Sequence, residues 1–182
     1  MINGLTITPN FISDDYEKEL IKNILSEPWN NDLKRRTQHY GYKYDYSNRT
    51  ISTDNYLGPF PKWLDILINY LVENAKLEVR PDQVIINEYF PGQGIAPHID
   101  KTDIFENHIC SISLGSDINM IFQRGTEKEE LYLKKCSLLE MINDARYKWS
   151  HSITPRKSDE INGTKVMRNT RYSLTFRKVI IT

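Results

Sequence analysis

Apolar residues in the first third of the chain recur at the spacing of two amphipathic helices. The first helix is marked by an apolar face across residues 16–25, with Ser13 in the position of an N-cap and Pro28 stopping the run. The second fits residues 61–76, because a proline at its start suits the first turn and the apolar residues after it share one face.

The hydrophobic period changes after residue 83, where short runs of strand type replace the helical spacing. The predicted strands cover residues 84–89, 109–114, 118–122, 137–142 and 171–181. Because helices come first and short strands then follow without helices between them, the pattern favours a mainly β fold with N-terminal α-structure. We expect an antiparallel sandwich or barrel with helices on one flank rather than a doubly wound parallel sheet.

Composition narrows the class of protein. The chain has 182 residues, of which 39% are apolar and 26% charged, as in a globular protein of one domain. It has no long apolar run and no start of the signal-peptide type, so we expect no membrane span. We expect a monomer in the cytoplasm, with the nucleus as an alternative location. Cys110 and Cys136 stand apart in strand-like runs and are predicted to be buried free thiols.

The formal net charge of zero argues against tight binding of nucleic acid by bulk electrostatics. The charge is nevertheless uneven, since residues 156–178 contain seven basic and two acidic residues. A second basic cluster lies at residues 34–36. A small local site for a nucleic-acid base is therefore compatible with the composition.

The segment His98-Ile99-Asp100 is the first candidate for chemistry. In an extended strand alternate side chains share a face, so both polar side chains can reach one metal ion. Two histidines and one carboxylate form the facial triad of non-haem Fe(II) oxygenases, and His151 is the natural third ligand. The alternative is a surface histidine, a turn-forming aspartate and a packed histidine beside Trp149.

Residues 171–177 alternate strictly between apolar and polar side chains. The polar face carries two arginines that bracket two hydroxyl groups, an arrangement suited to a dicarboxylate. Asn87 and Tyr89 share a face of an earlier predicted strand and could donate to the same anion. The alternative is an ordinary half-buried strand whose polar face meets water.

At these residues the chain resembles the AlkB family of Fe(II)- and 2-oxoglutarate-dependent dioxygenases. The resemblance covers about residues 35–179 and rests on the motifs Asn87-Glu88-Tyr89-Phe90-Pro91-Gly92, His98-Ile99-Asp100, Ser113-Leu114-Gly115 and the segments 146–154 and 171–177. It implies a double-stranded β-helix, or jelly roll, in residues 81–182, with two bracing helices and a nucleotide-recognition lid in residues 1–80.

The resemblance also implies site residues, cofactors and chemistry. Fe(II) would be bound by His98, Asp100 and His151. The cosubstrate 2-oxoglutarate would be held by Asn87, Tyr89, Arg171, Ser173 and Arg177, with Arg171 at the distal carboxylate and Arg177 near the iron-chelating end. The reaction would consume O₂ and oxidise a substrate, with hydroxylation or demethylation as the outcome.

Within the family, the chain is most similar to the branch that hydroxylates wobble uridine in tRNA. The similarity lies in residues 35–42, residues 92–95 and Ser173. Thr102 stands where repair demethylases usually have an acidic residue. Animal members of the branch join this domain to an RNA-recognition module and a methyltransferase. We expect this chain either to receive a ready-made substrate, with a separate methyltransferase as partner, or to use a different substrate. Repair of N-methylated bases, a protein substrate and a non-catalytic RNA-binding role are the alternatives.

The lid implied by the resemblance contains the candidate substrate contacts. Tyr40 and Tyr42 could stack on a base, while Arg35 and Arg36 could meet phosphate. An equally good interpretation is a tyrosine-rich strand pair that packs on the core. His108, at the start of a predicted strand, is interpreted as a strand-edge residue.

Overall fold

A computed structural model of the chain describes residues 1–44 and 50–181. Its α-helices are α1 (Asp14–Ser26), α2 (Lys62–Asn74) and α3 (Asn143–Tyr147). Its first six strands are β1 (Leu5–Thr8), β2 (Thr37–Gly41), β3 (Gln83–Tyr89), β4 (Ile95–His98), β5 (Ile109–Leu114) and β6 (Ile118–Arg124). The remaining strands are β7 (Glu127–Leu133), β8 (Leu138–Met141), β9 (Ser150–Ile153), β10 (Ser158–Ile161), β11 (Thr164–Met167) and β12 (Arg171–Arg177).

Two antiparallel sheets form the body of the fold. The larger sheet has the strand order β1-β8-β5-β12-β3-β2, and the smaller has the order β4-β9-β6-β7. One hydrophobic cluster joins them, with Tyr89, Ile109 and Met141 from the larger sheet and Met120 and Phe122 from the smaller. The strand β12 lies inside the larger sheet, between β5 and β3, so both of its edges are hydrogen-bonded. This is the expected jelly roll.

The two long helices cover the other face of the larger sheet. Leu20 and Ile24 of α1 and Leu64 and Leu71 of α2 are fully buried in a second cluster, together with strand residues such as Ile86. Alternate residues of a strand point to opposite faces, so β3, β5 and β12 bury side chains against the helices and against the smaller sheet at once. The prediction that two helices brace one sheet is confirmed.

The helix signals in the sequence are confirmed to within two residues. The hydroxyl of Ser13 accepts a hydrogen bond of 3.2 Å from the backbone N–H of Tyr16, as expected of an N-cap. Pro61 is the residue before the first turn of α2, which ends at Asn74. Both cysteines are free and buried, also as predicted.

Two strand predictions need correction. The last strand ends at Arg177 rather than Ile181, because the Asp82 carboxylate accepts hydrogen bonds from the Val179 N–H and the Lys178 ammonium and ends the regular pairing. The strand that carries the H-x-D segment ends at His98, so Asp100 lies beyond it. Pairing also forms strands that the hydrophobic pattern does not predict, including β7, in which Leu133 is the one buried residue.

The predicted lid is described only in part, because residues 45–49 lie outside the described residues. Within the described ranges, β2 joins the edge of the larger sheet by pairing with β3. No helix in those ranges combines the length and the apolar character that crossing a bilayer would require.

Candidate active site

A cavity of about 560 Å³ lies between the two sheets and collects most of the predicted site residues. The predicted residues that line it are His98, Asp100, His151, Asn87, Tyr89, Ser173, Arg177 and Arg35. These residues come from β3, β4, β9, β12, the loop after β4 and the segment before β2. The fold therefore brings together polar side chains that are far apart in the sequence.

The two histidines face each other across neighbouring strands. His98 of β4 and His151 of β9 are register partners, and their ring centroids are 4.3 Å apart. The Nδ1 atom of His98 is 2.9 Å from the carbonyl oxygen of Ala96, so an Nδ1–H donated there leaves Nε2 with a free lone pair. Burial lowers the pKa of His151 to about 4, which keeps this ring neutral, as a metal ligand must be.

Asp100 completes the set with a buried carboxylate. Its Oδ1 accepts a hydrogen bond of 2.9 Å from Arg177, whereas its Oδ2 is buried and has no hydrogen-bond partner among the described residues. Burial alone would raise the pKa of Asp100, but the charges of Arg177 and the histidines lower it to about 2. A buried, ionised oxygen without a partner is costly unless a cation binds it, so this donor set fits Fe(II).

Arg146 holds the backbone that follows the aspartate. Its buried guanidinium donates to the carbonyl oxygens of Asp100 and Lys101, at 2.7 and 2.8 Å, and to those of Phe105 and Glu106, at 3.1 and 3.3 Å. Because one planar group binds four carbonyls, it fixes the loop on which Asp100 lies. The resemblance includes Arg146 in a motif, but the sequence offers no sign of this role.

The strand β12 supplies the cationic side of the site. All seven of its residues are buried, so the interpretation of a polar face that meets water is wrong for this strand. Arg171 donates to Ser113 at 2.8 Å, while its Nε and Nη1 atoms have no hydrogen-bond partner within the described part of the chain. The Nε of Arg177 is likewise buried without one. Unsatisfied guanidinium donors at both ends of one strand face fit a dicarboxylate.

Arg171 itself does not line the cavity. Its guanidinium lies 5.7 Å from the centre of the Tyr89 ring, and Arg171 and Tyr89 are register partners on β12 and β3. Burial lowers the pKa of Arg171 to about 10. Next to it, Ser173 pairs with Asn87, and the hydroxyls of Ser173 and Ser111 are 3.0 Å apart.

The four predicted substrate contacts separate into two groups. Arg35 lines the cavity and donates to the Asn87 side chain at 2.8 Å. Arg36 lies outside the cavity lining, where it forms a two-point ion pair with Glu88 at 2.5 and 2.8 Å. Tyr40 and Tyr42 are also outside the lining: Tyr40 packs against Trp63 in the helix-side core, and Tyr42 against Tyr56.

Strand alternation explains why Tyr40 lies on the helix side. His39 is the register partner of Ile85, which lines the cavity, so its neighbour Tyr40 points to the opposite face of the sheet. Among the lining residues that the sequence does not predict as contacts are Tyr44, Lys101 and Phe105. Tyr44 belongs to the tyrosine-rich segment, whereas Lys101 and Phe105 follow the H-x-D segment and have no sequence signal of their own.

Comparisons with known proteins agree with this geometry. The family model of the 2OG-Fe(II) oxygenase superfamily matches residues 4–177. An uncharacterized protein of Acanthamoeba polyphaga mimivirus is 42% identical, over 98% of this chain and 86% of its own length. The tRNA (carboxymethyluridine(34)-5-O)-methyltransferase of Xenopus tropicalis is 35% identical over 97% of this chain.

The match to the Xenopus protein covers 32% of that protein, so the chain spans about a third of it. Among solved structures, that of OsALKBH1 superposes with a TM-score of 0.70 and covers 96% of both chains. Its sequence identity of 16% makes this a likeness of fold alone.

Proposed function

The chain belongs to the 2OG-Fe(II) oxygenase superfamily as a dioxygenase of the AlkB type, and from this premise we propose that it hydroxylates a modified wobble uridine in tRNA. The observation that carries the oxygenase chemistry in this proposal is the pairing of His98 with His151 beside a buried Asp100 oxygen that has no partner in the described residues. The oxidation of a substrate C–H bond would use O₂ and 2-oxoglutarate and yield the alcohol, succinate and CO₂.

In this proposal the protein holds the metal and orients it. His98, Asp100 and His151 would hold Fe(II), which together with 2-oxoglutarate and O₂ would supply the oxidising chemistry. Arg177 has two tasks, because it donates to Asp100 and keeps that carboxylate ionised while its Nε remains available to an anion. Arg146 keeps the Asp100 loop in position through its four carbonyl contacts.

The 2-oxoglutarate site is assigned to the polar face of β12 and to β3. Arg171 would hold the distal carboxylate with the donors that are unpaired among the described residues, next to Ser173, and Arg177 would hold the iron-chelating end. Asn87 and Tyr89 line the cavity, as do Ser173 and Arg177. Apolar side chains also line the cavity, and the lower local dielectric constant that they create strengthens these charge-assisted hydrogen bonds.

Three observations support a tRNA substrate. The Xenopus relative carries carboxymethyluridine at position 34 of tRNA in its name. Arg35, Lys101 and Tyr44 bring two cations and one aromatic ring to the cavity wall, which suits a nucleotide with its phosphate. Arg36 of the same basic cluster is neutralised by Glu88, so Arg35 is a better candidate than Arg36 for a phosphate or ester contact. The separate methyltransferase partner, the monomeric state and the cytoplasmic location remain predictions.

The test is incubation of the protein with Fe(II), 2-oxoglutarate and tRNA that bears 5-methoxycarbonylmethyluridine, followed by mass spectrometry of the nucleosides. We expect a nucleoside heavier by one oxygen and an equal amount of succinate. Asp100→Asn should abolish both products, whereas Asp103→Asn, an exposed carboxylate three residues later, should leave them unchanged. Formaldehyde release from N-methylated oligonucleotides without a mass gain on this tRNA would overturn the substrate in favour of demethylation.

A further inference from the structure

Three side chains of different chemistry meet on the helix side of the larger sheet. Cys110 of β5 and Glu140 of β8 are register partners, and His108 precedes Cys110 by two residues, so all three lie on one face. One ligand atom from each lies within 4.8 Å of the other two. The Nε2 of His108 is 3.1 Å from a carboxylate oxygen of Glu140.

A second group of three such side chains already binds a cationic side chain. The ligand atoms of Asp14, Glu17 and Cys136 also lie within 4.8 Å of one another. There the ammonium of Lys135 binds both carboxylates, at 2.5 Å from Asp14 and 2.8 Å from Glu17, so a cation is already in place. A metal ion would have to displace it.

The first group has no such cation. Within the described ranges, the ion pair of Glu140 is with His108, and no lysine or arginine contacts its carboxylate. Apart from His108, the contacts of the described residues bring no cationic side chain to the Glu140 carboxylate. A divalent cation would supply the missing charge.

Next to the three side chains lies a cavity with room for a metal ion that keeps one coordination position open. A cavity of about 320 Å³ between the end of α2 and the sheet is lined by His108 and Cys110. The thiol is buried in the sheet, and burial raises the pKa of Cys110, so it stays protonated and inert without a metal. Binding of a soft cation would displace that proton.

We propose that His108, Cys110 and Glu140 bind a zinc ion, with a fourth position open to this cavity. One sulfur, one nitrogen and one oxygen ligand suit Zn²⁺ better than the hard cations Mg²⁺ and Ca²⁺, which take oxygen ligands. The ion would tie β5 to β8 on the face opposite the candidate active site. This zinc site is independent of the proposed reaction and of its substrate.

Cobalt(II) is the probe that separates this site from the active site. The full chain, freed of metal with a chelator, is titrated with Co²⁺, and absorbance is recorded in the near ultraviolet and the visible. A thiolate ligand gives a charge-transfer band and tetrahedral geometry gives strong visible bands, whereas the His98, Asp100 and His151 set contains no sulfur. We expect one equivalent of thiolate-bound Co²⁺ that Zn²⁺ displaces.

Matched variants decide the assignment. Cys110→Ser should abolish the charge-transfer band, while Cys136→Ser should keep it. His108→Ala changes a partly exposed residue outside the strand and is the safer variant for folding; it should weaken Zn²⁺ binding at least about tenfold. Absence of a thiolate band in the unmodified chain, or a band that survives Cys110→Ser, would overturn the site. Neither result depends on dioxygenase turnover.

Discussion

Replacement of Arg146 tests whether this arginine positions the candidate iron site or merely stabilises the fold. The side chain is 2% exposed and donates to four carbonyl oxygens between residues 100 and 106. A hydrogen bond from a charged group contributes about 1.5–3 kcal/mol, so four of them would exceed about 6 kcal/mol if nothing replaced them. Because residues 100, 101 and 106 are partly exposed, water can satisfy some of the carbonyls.

We therefore expect Arg146→Met to lower the free energy of unfolding by about 3–6 kcal/mol, measured by urea denaturation. Its specific effect should be on the metal. We expect Fe(II) binding in the presence of 2-oxoglutarate to weaken at least about tenfold, since the Asp100 carboxylate is no longer held in place. Arg146→Lys keeps the charge but not the planar fork, and should recover part of the metal affinity.

Arg168→Met provides the control for this experiment. Arg168 is also buried and forms a two-point ion pair with Asp159, and its further hydrogen bonds go to the carbonyls of Thr154 and Arg156, none of which lies in the H-x-D loop. Breaking a buried ion pair costs about 3–5 kcal/mol, which matches the loss expected at Arg146. If both variants lose stability equally and both keep the iron affinity of the unmodified protein, Arg146 is structural and the positioning role is wrong.

Further predictions concern pH, close packing and the core. Burial lowers the pKa of His39 from 6.5 to about 4. Between these two pH values the unfolded chain therefore binds a proton at His39 that the folded chain does not bind. The free energy of unfolding should fall as the pH decreases through that window, and it should fall less in His39→Gln. An equal dependence on pH in the two proteins, measured by urea denaturation, would contradict this. Gly94→Ala places a Cβ 2.1 Å from the Ile153 carbonyl, so it should disturb the strand that carries the H-x-D histidine and reduce thermal stability and metal affinity together. Phe122→Ala should cost about 3–5 kcal/mol in urea denaturation, because this fully buried ring packs in the core between the sheets; a loss below about 1 kcal/mol would refute that packing.

Local signals in the sequence determined the helices and much of the chemistry. The cap at Ser13, the proline before α2 and the alternation of β12 each depend on neighbouring residues, and the structure confirms them. The H-x-D spacing identified two of the candidate metal ligands because both belong to one segment of three residues. Residue types that suit a metal and an anion could thus be recognised before any pairing was known.

Only the tertiary structure decided which distant residues meet. The pairing of β4 with β9 brings His151 to His98, and the register of β5 with β8 brings Cys110 to Glu140. Likewise, β2 pairs so that Tyr40 faces the helices and not the cavity. A shift of one residue in any of these pairings would turn each side chain to the other face, and such a register is set by packing of the whole sheet rather than by local sequence.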